Sequence, residues 1–465
     1  MYADVGNQIE HLIRYFGAFL FLFALLPKLM FRRPDGDGLE RAWGMFLKME
    51  LFVIATGYVL VLLKLFEVLA LLGAYTLAVI YRMRKNWADA QAVKVTELKV
   101  RTFDMLEGKF SPAAWLLEVL KDKESDWRHR IGSILMTPAN LWVGMLFAVI
   151  FGAAAYIRMY DAVASAPPAL SDGIVTLEWM KYIDDRILFN SGVYPQGFHI
   201  TLDTLHKFVK SDPLYVLKYT GPFNMLLVMA GQYLFVSRIC GNRIAGVIAA
   251  AVFGLLGDMF GGPFDRQAAT NSQEFAFVFV MPTLYFLHRY LQEKRRDDLF
   301  IAGAGMAVTG LVHAVAYGYL GMGVALLMGY HLLAQGRHIL RPLLYVCIAG
   351  AASVAVMALP IGIGLFVLGR EFHSSSATYL TAETGDGPSG VVYNAMRLMD
   401  QVGLAALAVI ALAALVTLPK FRTRSEYWLP LLVGGATFVL YQWGGDITNS
   451  LVVASRSGEL WGLAL

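Results

Sequence analysis

Apolar runs of about twenty residues recur along this chain, and they constrain its fold more than any other feature. A helix of about twenty apolar residues is long enough to cross the roughly 30 Å hydrocarbon core of a bilayer. The second and third runs, 45–63 and 66–82, are short, and the alternative for them is a single long helix interrupted at Lys64 and Glu67. With an uncertainty of one or two, about twelve spans are predicted, at residues 12–31, 45–63, 66–82, 139–160, 214–237, 243–260, 273–291, 298–315, 317–334, 342–369, 403–418 and 427–443.

The composition agrees with a membrane protein. Of 465 residues, 57% are hydrophobic and 16% are charged, whereas soluble domains carry about 25% charged residues. The formal net charge of +4 is too small to indicate nucleic-acid binding. The two cysteines, Cys240 and Cys347, indicate no disulfide framework. We therefore expect an all-α, polytopic helical bundle in the membrane of a cell, most simply the plasma membrane of a bacterium.

The positions of Lys and Arg predict the orientation of the spans, because cytoplasmic loops hold an excess of these residues. Basic clusters fall on alternate connections, within 28–41, 82–130, 238–243, 294–296, 337–341 and 420–424. The other connections, 161–213, 261–272, 370–402 and the tail from Gly444, are then extracytoplasmic. Most of the unusual polar residues lie in or beside these outer loops, which predicts a single outward-facing site.

Three regions follow from these patterns. Residues 1–82 form an N-terminal transmembrane module; its first apolar run has no small-residue cleavage site and is interpreted as a retained span. Residues 83–137 are charged and helix-prone, which predicts amphipathic helices on the cytoplasmic interface or a docking platform for a cytoplasmic partner. Residues 138–465 form the transmembrane core. Because the chain stops at Leu465 inside an apolar stretch, we expect either a short natural protein or a fragment of a longer one.

The first outer loop, 161–213, contains two predicted amphipathic helices, Gly173 to Leu188 and Phe198 to Lys210, which are expected to lie flat on the outer membrane surface. Turn-forming residues at 190–197 separate them. On the second helix, one polar face carries His199, Asp203 and His206. These side chains are either weak candidates for ligands of a divalent metal or simply the hydrated face of an interfacial helix.

The sequence resembles the C-type (GT-C) integral membrane glycosyltransferases in four features. They are a span that ends in an outward aspartate, a long first outer loop with two helices, the Tyr194-Pro195-Gln196-Gly197 turn and the further spans. The resemblance covers roughly 139–465. It implies a GT-C-like bundle that takes a sugar from a polyprenyl-phosphate donor at the outer face. The acceptor would be an extracytoplasmic glycan, lipid or protein of the cell envelope.

The resemblance also implies an acidic residue in the first outer loop, which matches Asp172 or Asp161. A carboxylate there would accept a proton from the acceptor, or help to hold a cation, while positive charge develops on the sugar. We favour Asp172. The competing role of Asp172 is a helix N-cap, and that of Asp161 is a polar cap at the lipid interface.

Cationic and aromatic residues complete the predicted site. Arg266 would bind the donor phosphate, or else pair with Asp265 or a lipid headgroup. Arg456 resembles an arginine that several family members place near the donor phosphate. An ionisable residue near the end of an apolar helix usually faces a cavity, although a bond to a neighbouring backbone is the alternative. His313 is expected to bind substrate for this reason. The other expected substrate-binding residues are His199, Glu178 and Tyr194.

These observations predict a membrane glycosyltransferase that uses a polyprenyl-phosphate-linked donor. The alternative is a transporter or flippase for a lipid-linked saccharide or small solute, since transporters also place polar groups inside membranes. A structural or assembly protein of the membrane is a third possibility. No nucleotide-binding loop is visible in the sequence, which agrees with a lipid-linked donor.

Overall fold

A computed structural model of the chain describes residues 5–84, 138–165, 172–256, 269–373, 378 and 428–464. Within these ranges the chain is all-helical and has no extended strand; Val193 and Phe372 form an isolated bridge. The predicted span 403–418 and nearly all of the predicted cytoplasmic segment 83–137 lie outside the described residues. Nothing is stated about their structure.

The helices of the described ranges are numbered here in chain order. They are α1 (Val5–Leu20), a π-helical turn (Phe21–Leu25), α2 (Leu26–Met30), α3 (Gly38–Leu62), α4 (68–84), α5 (Pro138–Ala164), α6 (Asp172–Asp184), α7 (Gly197–Val209), α8 (Pro213–Ile239), α9 (Arg243–Leu256), α10 (Ser272–Glu293), α11 (Arg296–Val312), α12 (Ala314–Gln335), a 3-10 turn (Gly336–Ile339), α13 (Leu340–Gly362), a π-helical turn (Ile363–Val367), α14 (Trp428–Thr448) and α15 (Leu451–Ala464).

Four helical segments in the described part of the chain are long and apolar enough to cross a membrane. They are Gly6–Met30, Gly38–Leu62, Leu141–Ala164 and Ala314–Val367. The last contains 54 residues. It is divided at Gly336, whose φ of 61° and ψ of −140° are not helical, into α12 with 22 residues and α13 with 23. A membrane location is therefore supported, whereas a bundle of about twelve spans is not established by these helices.

Large apolar side chains cover the outside of the described bundle. A soluble monomer rarely exposes so much contiguous apolar surface, whereas lipid tails accept it without cost. The most exposed of these side chains include Leu69, Tyr81, Val149, Leu333, Phe366 and Val367. Each lies on α4 or on one of the membrane-length segments, which is consistent with contact between these segments and lipid.

Helix α10 lies at the centre of the bundle, packed among α3, α8, α11 and α12. Almost all of its residues are buried, including Glu274, His288 and Arg289. Asn271 caps its first turn by accepting a hydrogen bond from the backbone N–H of Glu274. Because other helices surround α10, it can carry ionisable side chains that a lipid-facing span could not. This composition explains why α10 is not among the four membrane-length segments.

An ion-pair network joins three connections at one end of the bundle. On α10, Arg289 contacts Asp298 at 2.8 Å and Glu40 at 3.2 Å. On α8, Arg238 pairs with Asp37 and lies 3.4 Å from Glu40. The connections near residues 35–40, 238 and 289–298 were predicted to share the cytoplasmic side. The structure places them at the same end, although which end faces the cytoplasm stays a prediction.

The predicted outer connections meet at the opposite end. Arg186, after α6, pairs with Glu67 in the α3–α4 connection, and Lys64 donates a hydrogen bond to the backbone oxygen of Arg186. The Tyr194 hydroxyl lies 3.1 Å from the Ser272 hydroxyl at the start of α10. Connections that alternate along the chain are therefore gathered at alternate ends, as the distribution of charge predicts.

The predicted position of the second outer-loop helix is wrong. The helix forms over Gly197–Val209, close to the predicted bounds, but α7 is buried among α1, α3, α6 and α8 rather than flat on the membrane surface. A methyl group on Gly57 of α3 would lie 2.1 Å from Ile200 Cγ2, so a glycine is what allows this approach. The polar face is covered too: Thr201 donates a hydrogen bond to Glu50.

Helices α1 and α3 of the predicted N-terminal module pack into the same hydrophobic core as α7, α8, α10 and α11. Hydrogen bonds add to this packing: Tyr15 on α1 lies 3.0 Å from the Thr220 hydroxyl, and Tyr219 donates to the Gln8 backbone oxygen at 2.8 Å. The module is thus joined directly to the rest of the bundle. The domain boundaries themselves stay a prediction.

Candidate functional site

An aromatic cluster occupies the end of the bundle opposite the Arg289 ion-pair network, where α6, α7 and the residues after α13 meet. Trp179 is at its centre, with ring centroids 5.2 Å from Tyr194, 4.8 Å from His199 and 5.3 Å from His373. Trp179 and His199 are each 5% exposed. The edge-to-face arrangements at Tyr194 and His373 are the geometry that aromatic rings prefer, and they fix these side chains relative to one another.

Two backbone hydrogen bonds hold His373 beside the turn between α6 and α7. The N–H of Val193 donates to the Glu371 oxygen at 2.7 Å, and the N–H of His373 donates to the Val193 oxygen at 3.2 Å. Gly192 has φ of 107°, a conformation that other residues rarely adopt. A Cβ at this position would lie 2.6 Å from the His373 Cα. The turn therefore requires glycine both for its backbone conformation and for the close approach.

A polar rim adjoins the cluster at the first turn of α10 and on α15. Beside the Tyr194–Ser272 hydrogen bond, Gln273 donates a hydrogen bond to the Glu459 carboxylate. Arg456 lies 3.2 Å from Glu459 and retains 24% exposure of its side chain. Glu274, on the first turn of α10, is 2% exposed. Two carboxylates, one guanidinium and a phenol are thus brought to one place by three separate parts of the chain.

Burial dominates the electrostatics of this site. It raises the pKa of Tyr194 above its usual range; the Ser272 hydrogen bond and the charge of Arg456 act in the opposite direction, and Glu274 acts with burial. Burial lowers the pKa of His199 to about 3, so its imidazole is neutral at ordinary pH. Because Arg456 acts electrostatically on Tyr194, its charge reaches the aromatic cluster.

The arrangement offers three chemical capacities. The carboxylates of Glu274 and Glu459 can accept protons from a hydroxyl group, provided that a substrate reaches them. The guanidinium of Arg456 can bind a phosphate or carboxylate oxygen. Trp179 and Tyr194 supply an apolar surface with a polar tip. A site that combines these groups suits a substrate with an anionic part and hydroxyl groups.

No protein-family model, no curated protein and no solved structure matches this chain. The resemblance to the C-type glycosyltransferases accordingly rests on the residues themselves. It remains a proposal.

Three of the predicted site residues, Tyr194, His199 and Arg456, are gathered by the structure into the aromatic cluster and its rim. Glu178 is on α6 but is exposed, and it accepts a hydrogen bond from the Tyr182 hydroxyl. It is adjacent in sequence to Trp179 without any described contact with the cluster.

The remaining predicted residues are not placed in the cluster by the described contacts. His313 joins α11 to α12 and accepts a hydrogen bond from the backbone N–H of Ala316 at 3.4 Å, as a helix cap does. Asp161 is exposed in the last turn of α5. Asp172 is the first residue of α6, and its side chain is outside the described part; Arg266 is entirely outside the described residues.

The metal interpretation of the polar face of α7 is not supported. Among the residues that the structure describes, no three His, Cys, Asp or Glu side chains are placed to hold a metal ion. His199 faces Trp179, whereas Asp203, 1% exposed, is influenced by the charges of Lys207 and Asp184. Spacing along one helix therefore did not bring His199, Asp203 and His206 to a common point. The hydrated-face alternative is wrong for His199 and Asp203, which are buried.

Sequence reasoning missed several polar residues that the structure makes prominent. Trp179 was predicted only as part of an amphipathic helix, and Glu459 lies in the terminal stretch from which Arg456 alone was chosen. Glu50 was not singled out because it lies within the second apolar run, although a carboxylate inside a membrane span is itself a signal of function. Arg158 on α5 was likewise concealed; it is buried and donates hydrogen bonds to the backbone oxygens of Phe253 and Gly254 at the end of α9.

Proposed function

We propose that this protein is a membrane glycosyltransferase that transfers a sugar from a polyprenyl-phosphate donor to an extracytoplasmic acceptor of the cell envelope. The observation that carries the proposal is the position of Arg456 beside Glu459, within electrostatic range of Tyr194, at the end of the bundle where the predicted outer loops meet. A lipid-linked donor presents its phosphate near the membrane surface, where this guanidinium would neutralise the charge that develops on the leaving group.

The other residues take complementary roles in the proposal. Asp172, at the start of α6, or Glu274, in the rim, accepts the proton of the acceptor as the sugar is transferred. The aromatic cluster of Trp179 and Tyr194 forms one wall of the sugar site, and neutral His199 positions Trp179 from behind. A divalent metal is not required by these roles, and addition of a chelator to the assay below tests for one.

The proposed function also requires a particular orientation of the whole molecule in the membrane. A GT-C-like bundle of about twelve spans, with its active face outside the plasma membrane of a bacterium, would place the rim where both a lipid-linked donor and an envelope glycan, lipid or protein can reach it. The segregation of the basic connections at the opposite end is consistent with this orientation.

The test uses purified protein in lipid and a panel of radiolabelled polyprenyl-phosphate sugars, with release of the sugar as the readout. Loss of a charge-assisted hydrogen bond costs about 1.5–3 kcal/mol, so Arg456→Gln is expected to slow release about tenfold to a hundredfold. Asp172→Asn is expected to abolish release if Asp172 is the base. Arg186→Gln removes an arginine from the same end of the molecule and is the matched control, expected to retain the rate.

Two results would contradict the proposal. One is the absence of release from every donor by folded wild-type protein, and the other is an equal rate in wild type and Arg456→Gln. Equal losses in Arg456→Gln and Arg186→Gln would point instead to a general dependence on positive charge at this surface.

A second candidate function, transport or flipping of a lipid-linked saccharide, is favoured by one observation. Glu50 is buried near the middle of the membrane-length helix α3, beside α7, a helix too short to span. Transporters commonly place polar residues and interrupted helices at this depth. In proteoliposomes, movement of a fluorescent lipid-linked saccharide across the bilayer without release of sugar would favour this function over transfer.

A further inference from the structure

Glu50 is a carboxylate in the core of the bundle. It lies on α3, the described helix Gly38–Leu62 that meets the length and hydropathy of a membrane span, and it is 0% exposed. Neither the proposed transfer reaction nor the outer cluster uses this residue. An ionisable group in such a position is costly, and its retention indicates a function.

A hydroxyl group contacts the Glu50 carboxylate. The Thr201 hydroxyl on α7 donates a hydrogen bond to Glu50 Oε1 at 2.5 Å. Glu50 Oε2, by contrast, has no hydrogen-bond partner among the described residues. The Thr204 hydroxyl on α7 and the Tyr75 hydroxyl on α4 are also buried, and they too have no partner within the described part of the chain.

The two unpartnered hydroxyls belong to surfaces that face α3. Thr204 is one turn beyond Thr201, on the side of α7 that carries Ile200, which packs against Gly57. Tyr75 has its ring 5.9 Å from Phe52 on α3, two residues beyond Glu50. These two hydroxyls lie on helices that flank this part of α3, but neither makes a hydrogen bond to Glu50 among the described residues.

The cations on the helices around Glu50 are committed to other acids. Lys48, two residues earlier on α3, pairs with Asp297 of α11 at 2.8 Å. Lys207 of α7 pairs with Asp184, and its other titratable neighbours on α7 are Asp203, another acid, and His206, whose pKa is lowered by burial. An ionised Glu50 would therefore carry a buried charge with one hydroxyl hydrogen bond and no counter-ion among these groups, an arrangement of high free energy.

We propose that Glu50, with the hydroxyl of Thr201, forms a proton-binding site inside the bundle. With a proton bound, the carboxylic acid accepts from Thr201 through Oε1 and carries the proton on Oε2, the oxygen without a hydrogen-bond partner among the described residues. Loss of the proton leaves a charge at the contact between α3 and α7. Proton binding and the buried position of α7 are therefore thermodynamically linked.

Infrared spectroscopy of the full chain in lipid nanodiscs tests this site, because a carboxylic acid and a carboxylate have separate carbonyl stretching bands. The difference spectrum of wild type minus Glu50→Gln at about neutral pH is expected to contain a carboxylic-acid band. Glutamine keeps the shape of the side chain and an oxygen that accepts from Thr201. Glu67→Gln, which removes the exposed and ion-paired acid of the α3–α4 connection, is the matched control and is expected to lose a carboxylate band.

Two results would overturn the proposal. If Glu50→Gln loses a carboxylate band, Glu50 is ionised in the folded protein. If the acid band of wild type disappears when potassium is exchanged for sodium at constant pH, the ligand is a metal cation rather than a proton. If Glu50→Gln does not fold, wild type is labelled with dicyclohexylcarbodiimide instead, which distinguishes the same two outcomes. An adduct at Glu50 and not at Glu67 supports the site. The absence of an adduct at Glu50 contradicts it.

Hydrogen–deuterium exchange tests the link to α7. In wild type, exchange of the α7 amides, corrected for the intrinsic effect of pH, is expected to accelerate over the pH range in which the acid band disappears. In Glu50→Gln this acceleration is expected to be smaller, because Asp203 is then the remaining buried acid on α7 that loses its proton over this range. Acceleration of equal size in both proteins would mean that protonation of Glu50 does not control α7.

Discussion

Asp203 shows at the scale of a single residue how burial changes the chemistry of α7. Its side chain is almost completely buried, and this burial raises the pKa of Asp203 to about 8, against a smaller opposite effect of Lys207. The unfolded chain releases this proton near its ordinary pKa of about 3.9. Between those values the folded protein binds one proton more than the unfolded chain.

Stability should therefore fall as pH rises from about 4 to about 8, and the Asp203 contribution should then level off. We predict that Asp203→Asn removes a slope of up to about 1.4 kcal/mol per pH unit. Thermal unfolding in detergent at a series of pH values measures the effect as a difference between wild type and variant that grows with pH. Asp185→Asn, an exposed acid on the neighbouring turn, is the control; a difference independent of pH at Asp203 would contradict the assignment.

His199 belongs to the same scale and illustrates what spacing cannot reveal. The sequence placed His199 on a polar face with Asp203, which is consistent with a metal site. The structure turns the imidazole toward Trp179 instead, where burial keeps it neutral. Helical spacing states which residues share a face, but the neighbouring helices decide what each residue meets.

At the scale of elements, the contact between α3 and α7 depends on one glycine. The place of a methyl group on Gly57 is occupied by the side chain of Ile200. We predict that Gly57→Ala destabilises the protein by about 1–3 kcal/mol, as overpacking in a core typically does. Gly73→Ala on α4, where no atom lies within 4 Å of the added Cβ, is the matched control and is expected to keep or raise the unfolding temperature of wild type, because alanine favours a helix over glycine.

A double variant tests the cause of that loss. Ile200→Ala removes the Cγ2 atom that the new methyl group would meet. Gly57→Ala combined with Ile200→Ala should therefore cost less stability than the sum of the two single changes, because residues in contact are not additive. Strict additivity in thermal unfolding would show that the two side chains do not collide.

At the scale of the whole molecule, the two ends of the bundle should face opposite sides of the membrane. Cys240 and Cys347 are first replaced by serine. Ser191→Cys, between α6 and α7, is then expected to react with a membrane-impermeant maleimide in intact cells. Lys294→Cys, between α10 and α11, should react only after permeabilisation. The reverse pattern would invert the orientation, and labelling of both positions in intact cells would contradict the separation of the two ends.

The sequence by itself determined the class of the protein and much of its helical framework. Apolar runs require helices in lipid, because a backbone in the bilayer must satisfy its own hydrogen bonds. The alternation of basic connections predicted which loops share an end, and the ion pairs of Arg289 with Asp298 and Glu40 agree with it. The bounds of α7 were also close to the predicted ones.

Only the tertiary structure decided the burial of α7 and the composition of the site. An amphipathic pattern reports the polarity of a face, but it does not state whether water, lipid or another helix covers that face. The hydrogen bonds from Thr201 to Glu50 and from Gln273 to Glu459 join residues 151 and 186 positions apart. No local pattern encodes such contacts, since each exists only after the helices between its partners have packed.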